Sequence, residues 1–184
     1  MVVTGIFVVL SGVVLANNTR FGNVIVLQNL AHDIALSIRQ AQVYGIAVRR
    51  CDPNVTALCD SIQQFDVAYG MHFVDNEPTF ELFVDADNNA EYDPGETVIS
   101  NTIANGYRID EICLTPSAGG AEDCDEPELN IVFRRPEPDA CINGSFDMDG
   151  DCSSTWGRAE ITLLSNRDDD AIVIVERTGQ ISVQ

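Results

Sequence analysis

VIVLQNLAHDIALSIRQAQVYGIAV, residues 24–48, decides how this chain is read. Leu27, Leu30, Ala31, Ile34, Ile38, Ala41, Gly45 and Val48 recur at helical spacing and form one apolar stripe, while Gln28, Asn29, Asp33, Arg39, Gln40 and Gln42 take the other face. A helix divided in this way lies on a folded body with its polar side in water. Upstream, VVTGIFVVLSGVVLA (Val2–Ala16) carries no charge, and no proline interrupts residues 1–50. Glycines at 5, 12, 22 and 45 weaken a helix by about 1 kcal/mol each relative to alanine without ending it. The expectation is one long helix, apolar all round at its start and amphipathic at its end. Alone, the uncharged run would span about 22 Å, short of the roughly 30 Å hydrocarbon core of a bilayer. It also lacks the basic n-region and the small-x-small cleavage site of a secretory signal.

Past Arg50 the period changes. FDVAYGMHFV (65–74), TFELFV (79–84), ETVIS (96–100), GYRIDEICL (106–114), LNIVF (129–133), RAEITLL (158–164), AIVIVE (171–176) and QISV (180–183) are short, rich in β-formers and bounded by Gly, Pro, Asn or Asp. A helix followed by consecutive strands predicts an α+β fold, with the long N-terminal helix packed on an antiparallel β-sheet body. Three parts follow: residues 1–22, the apolar membrane or filament-core portion; 23–50, the amphipathic helix; and 51–184, an acidic β-domain.

Charge separates the same parts. The chain of 184 residues has 10 basic and 29 acidic residues, net −19, and every basic residue is arginine. Residues 1–50 hold four arginines against Asp33 alone, net +3, so residues 51–184 carry net −22. A surface so acidic has no basic stripe with which to neutralise phosphates, so no nucleic-acid partner is expected. With 45% hydrophobic residues the chain is too apolar for an acidic disordered tail and is expected to fold.

Six cysteines, Cys51, Cys59, Cys113, Cys124, Cys141 and Cys152, allow fifteen pairings. Pairing of sequence neighbours, Cys51–Cys59, Cys113–Cys124 and Cys141–Cys152, is the simplest choice. Each bridge would staple one acidic loop and contribute about 2–3 kcal/mol in the loop-entropy model. Disulfides place the body in an oxidising compartment. The rival, a zinc cluster, lacks a C-x-x-C motif, and His32 and His72 lie far from the cysteines in sequence.

The sharpest chemical signal is FVDADNNAEYDPGETV, in which Asp85, Asp87, Asn89, Glu91, Asp93 and Glu96 occupy positions 1, 3, 5, 7, 9 and 12 of a calcium loop. Oxygen donors at alternating positions wrap Ca²⁺, and a twelfth-position glutamate closes the shell bidentately. Position seven normally offers its carbonyl, so Glu91 would contribute main chain. Ala90 stands where glycine usually takes the sharp turn, and the strand-like ELFVD and Pro94 argue against flanking EF-hand helices. Asp147, Asp149 and Asp151 repeat the opening spacing without a closing glutamate and read as a solvated turn; Asp168–Asp170 read as a hairpin turn.

No G-x-S-x-G, H-E-x-x-H, Walker or G-x-G-x-x-G motif occurs, so no enzymatic activity is expected. His32 and His72 read as structural. Arg134–Arg135 is the only basic doublet of the body.

The Val2–Ala16 run, the helix ending NLAHDIALSIRQAQVYGIAVR (Asn29–Arg49) and the closing VERTGQISV (Val175–Val183) resemble the type IV pilin-like proteins, in particular pseudopilins and minor pilins of the GspH/FimT type. In that family the N-terminal helix anchors in the membrane and later packs in the core of a filament. The basic leader, the Gly-Phe junction and the early glutamate of the family do not precede Met1, so the chain is expected to start inside that helix. The resemblance implies a structural subunit of a type IV pilus or type II secretion pseudopilus, partnered by other pilin-like subunits, with its body outside the cytoplasm. A secreted or anchored calcium-dependent adhesin is the alternative.

Overall fold

In the computed structural model, the stripe identified from spacing is buried. Leu27, Ala31, Ile34, Ile38, Ala41 and Gly45 of helix α1 (Val2–Ile46) face the interior and Leu30 is half-buried, while His32, Asp33 and Arg39 are exposed. The structure describes residues 2–47, 49–53, 56–60, 65, 67–104, 106–147 and 149–184, without the side chains of 14–23, 57 and 60. Val48, the last position of the stripe, and the side chains of 14–16, the end of the apolar run, therefore lie outside the described residues. Gly45 makes the close approach at the end of α1 possible, because a Cβ there would run into the backbone of Phe133.

Among the described residues eleven strands follow, all paired antiparallel. The first five are β1 (Ala68–Val74), β2 (Thr79–Asp85), β3 (Thr97–Thr102), β4 (Arg108–Pro116) and β5 (Glu128–Phe133). Three short ones, β6 (Ala140–Ile142), β7 (Ser145–Phe146) and β8 (Cys152–Ser153), precede β9 (Trp156–Leu164), β10 (Asp170–Glu176) and β11 (Ile181–Val183). They form a five-stranded sheet in the order β3-β2-β1-β5-β6, a four-stranded sheet in the order β11-β10-β9-β4, and the β7-β8 ribbon.

These observations correct the expected architecture. The side chains described for α1 fall in two helical stretches, 2–13 and 24–46, and only the second packs on the body. The body is several antiparallel sheets, where one covered by a long helix was expected. The physical cause is the crossing between β3 and β4. Buried Ile103 and Tyr107 pull that connection inward, and Ile109 N–H donates to the Glu77 carbonyl at 3.2 Å, so β4 joins β9 instead of extending the first sheet. The second stretch of α1 thus touches β1 and β5 of one sheet and β10 and β11 of the other.

Strand β1 is buried on both faces, as its nearly continuous apolar sequence requires, whereas β9 alternates and leaves one face toward solvent. Met71 and Phe73 of β1 join the core under the helix. On the opposite face Ala68 packs with Phe83, Ala90 and Val132, and it is there that the 85–96 loop folds back. Among the described residues no helix is long and apolar enough to cross a membrane.

Candidate metal centre

The loop from β2 to β3 starts at Asp85 and ends at Glu96, both buried, at 0% and 1% exposure. Four main-chain N–H groups hold their carboxylates. Asn89 and Ala90 donate to the two oxygens of Asp85 at 3.1 and 3.0 Å, and Ala86 and Asp93 donate to those of Glu96 at 2.7 and 3.1 Å. Asp87 completes the cluster, its ligand oxygen lying with those of Asp85 and Glu96 within 4.8 Å of one another.

Asn89 ties in the remaining side. Its Nδ2 donates to Asp87 at 3.3 Å and to Asp93 at 3.1 Å, while its Oδ1 accepts the Glu91 N–H at 2.7 Å. The loop therefore gathers Asp85, Asp87 and Glu96 directly and Asn89 and Asp93 through hydrogen bonds. The Glu91 carboxylate is exposed and stands outside the cluster. Both flanks of the loop are strands. Ala90, the residue at the glycine position, adopts φ +64, the left-handed conformation that position demands.

Burial makes these carboxylates reluctant to ionise. Loss of solvent pushes Asp85 up to about 6 against the opposing backbone hydrogen bonds, with the Asp87 charge adding to the rise. The same cause pushes Glu96 up to about 7, with Asp85 and Asp87 adding repulsion. Among the described residues neither carboxylate has an ion-pair partner, since the ion pairs there join Arg108 to Asp110 and Arg158 to Glu160 and Glu176. Buried like charges with main-chain donors and no counter-charge suit a bound cation.

Contacts remote in sequence brace the loop. Tyr92 stacks on His72 with ring centroids 4.5 Å apart and its hydroxyl bonds Thr97 Oγ1 at 2.7 Å. His72, read as structural, is buried and pairs through Nδ1 with Asn130 Oδ1 at 2.8 Å. Thr56 Oγ1 donates to the Gly95 carbonyl at 2.5 Å, which fastens the loop to the segment between Cys51 and Cys59. Periodicity alone does not disclose such pairs.

The six cysteines form three disulfides, Cys51–Cys59, Cys113–Cys124 and Cys141–Cys152. Sulfur is thereby removed as a ligand, including at the Glu111, Cys113 and Cys124 cluster. Asp147 uses Oδ1 to accept the N–H groups of Asp149 and Asp151, both at 2.9 Å, as a turn does. Ser165 receives the Arg167 and Asp169 N–H groups in the hairpin that carries Asp168–Asp170. The doublet Arg134–Arg135 is joined by Arg177 around one cavity, a convergence that spacing alone does not disclose.

Compared with known proteins, the chain matches no family model, no curated relative and no solved structure.

Proposed function

We propose that this chain is a structural subunit of an extracytoplasmic filament, of the type IV pilus or type II secretion pseudopilus kind, assembled through its apolar helix start and carrying a calcium loop in its body. One observation carries the reading. Val2, Val3, Ile6, Phe7, Val8, Val9, Leu10 and Val13 are all exposed, around the whole circumference of the helix, with Val3 at 80% and Phe7 at 71%. A helix that is apolar all round has to be covered by lipid or by other helices. At about 1.5–3 kcal/mol for each large apolar side chain fully buried, such a stretch offers enough to offset the roughly 4–15 kcal/mol cost of association.

The rest of the molecule agrees with that role. Three disulfides suit an oxidising space outside the cytoplasm. The first stretch of the helix is held by lipid before assembly and by other subunits afterward, leaving the acidic body in solvent. Calcium fits the loop because the donors are all oxygen and the ends of the shell are two buried carboxylates. Bound cations also reduce repulsion between bodies that each carry a large negative charge.

Deletion of residues 2–16 tests the assembly reading. The full chain should sediment with liposomes or form oligomers, and the deletion variant should be a monodisperse monomer by light scattering. If the variant associates as the full chain does, the reading fails.

A further inference from the structure

Ten arginines in this chain face 29 acids, so an arginine has many carboxylates with which to pair. Two of them do not. Arg134, just past β5, sets its guanidinium carbon 5.4 Å from the Phe146 ring centroid, and a Cβ on Gly150 would come within 3.3 Å of that guanidinium. It is thus lodged between an aromatic ring and a glycine. Arg177, just past β10, donates to the carbonyls of Ser154 at 3.2 Å and Cys152 at 3.5 Å and to Ser117 Oγ at 3.5 Å. Among the described residues neither makes an ion pair, yet both line the same cavity of about 420 Å³. That volume lies within the ~300–1,000 Å³ of small-molecule sites.

The fold builds this cavity on purpose-made supports. The Ala140 N–H donates to the Arg177 carbonyl at 2.8 Å, joining the segments on which the two arginines sit. The Cys141–Cys152 disulfide holds the ribbon that carries Phe146 against them. Two pre-positioned guanidinium groups, held by a ring and by carbonyls, keep their charge and their remaining donors for an anion. Glu137, Asp139 and Asp151 also line the cavity and are exposed, while Arg134 and Arg177 are half-buried. Exposed acids next to the arginines repel a polyphosphate or a sulfated chain, which brings several charges per unit. A sugar with one carboxylate per ring instead sets one charge on the arginines and offers hydroxyl hydrogens to the acids.

We propose that the cavity between Arg134 and Arg177 binds a uronate, a carboxylate-bearing sugar of an acidic polysaccharide. The carboxylate lies against the arginines, and its ring hydroxyls donate to the acids. This goes beyond the assembly reading and does not depend on the cation loop.

The test is calorimetric titration of the full chain, in a polyoxyethylene detergent and EDTA at low salt, with trigalacturonate, its neutral galactose counterpart and acetate. Trigalacturonate should bind saturably, and the neutral sugar and acetate each at least ten-fold more weakly. Arg134→Gln should cost at least ten-fold in affinity with the melting temperature unchanged. Gly150→Val, which places a side chain against the guanidinium, should also cost at least ten-fold in affinity, while valine at φ +88 lowers its melting temperature; should that variant not fold, Arg134→Gln decides. Absence of saturable binding, equal binding of the neutral sugar or of acetate, or full affinity in Arg134→Gln would overturn the proposal.

Discussion

Asp85 and Glu96 close the two ends of one loop with carboxylates that are both buried and both near Asp87, their ligand oxygens within 4.8 Å. Three like charges at that distance, two of them out of water, are a standing electrostatic cost unless protons or a cation occupy the space between them. The measurable properties of the body follow from which of the two is there.

A bound cation should raise the melting temperature. A site filled to about a hundred times its Kd adds ~2.7 kcal/mol, which for a chain of this size is ~5–10 °C. Millimolar Ca²⁺ against EDTA in differential scanning calorimetry checks this. Glu96→Gln should abolish the shift, and Glu91→Gln should leave it intact because that carboxylate stands outside the cluster. An unchanged midpoint in the unaltered chain would refute the loop as a cation site.

Without cation, stability should fall as pH rises. Asp85 and Glu96 are raised by burial to about 6 and about 7, above the ordinary 3.8 and 4.5. Between the ordinary and the raised values the folded chain binds more protons than the unfolded one, so acidification stabilises it. In EDTA the loss should run from about pH 4 to about pH 7 and level off above, each group contributing ~1.4 kcal/mol for every tenfold by which folding tightens its hold on the proton. Calcium should act in the opposite direction, stabilising most above pH 7 and least below pH 5, since it competes with the same protons. Urea midpoints across pH, with and without Ca²⁺, separate the two curves.

The helical stripe was legible because a period of 3.6 survives in sequence, and Leu27, Ala31, Ile34, Ile38 and Ala41 are buried as spaced. The eight strands read from alternation are present, with ends that differ by a few residues. Strands β6, β7 and β8 were not legible, being two or three residues each and too short to carry a period. Division into separate sheets was not legible either, because it depends on whether β4 pairs with β3 or with β9, and strand order is not a local property. The ligand spacing of the loop could be read, but the burial of Asp85 and Glu96 could not. It arises from the loop folding back onto Ala68, Phe83 and Val132, and from Tyr92 resting on His72.

Removing the first disulfide should weaken the cation site as well as the fold. Cys51–Cys59 closes a short ring, and its loss from the unfolded-state constraint is worth about 2–3 kcal/mol. Thr56 lies within that ring and donates to the Gly95 carbonyl, next to Glu96. The Cys51→Ser/Cys59→Ser variant should therefore lose stability and bind Ca²⁺ several-fold more weakly. Thr56→Val should weaken Ca²⁺ with only ~1 kcal/mol lost from the fold. Equal Ca²⁺ affinity in all three proteins would show that the loop is positioned without this brace.

Ala90 places two effects of similar size in opposition. At φ +64 an alanine costs ~1–2 kcal/mol that a glycine would not. Its methyl, however, is 1% exposed and packs with Ala68, Phe83 and Val132, which is worth ~0.8 kcal/mol, and glycine adds ~0.5–1 kcal/mol of unfolded-state entropy. The terms nearly cancel, so Ala90→Gly should change stability in EDTA by less than ~1 kcal/mol. This balance accounts for an alanine at the position where such loops usually have glycine. Ala90→Val keeps an apolar side chain but adds a β-branch at positive φ, and it should lose at least ~2 kcal/mol. Chemical denaturation of the three proteins measures both differences; a glycine variant more stable by ~2 kcal/mol would mean that neither the buried methyl nor the unfolded-state entropy offsets the cost of the positive φ.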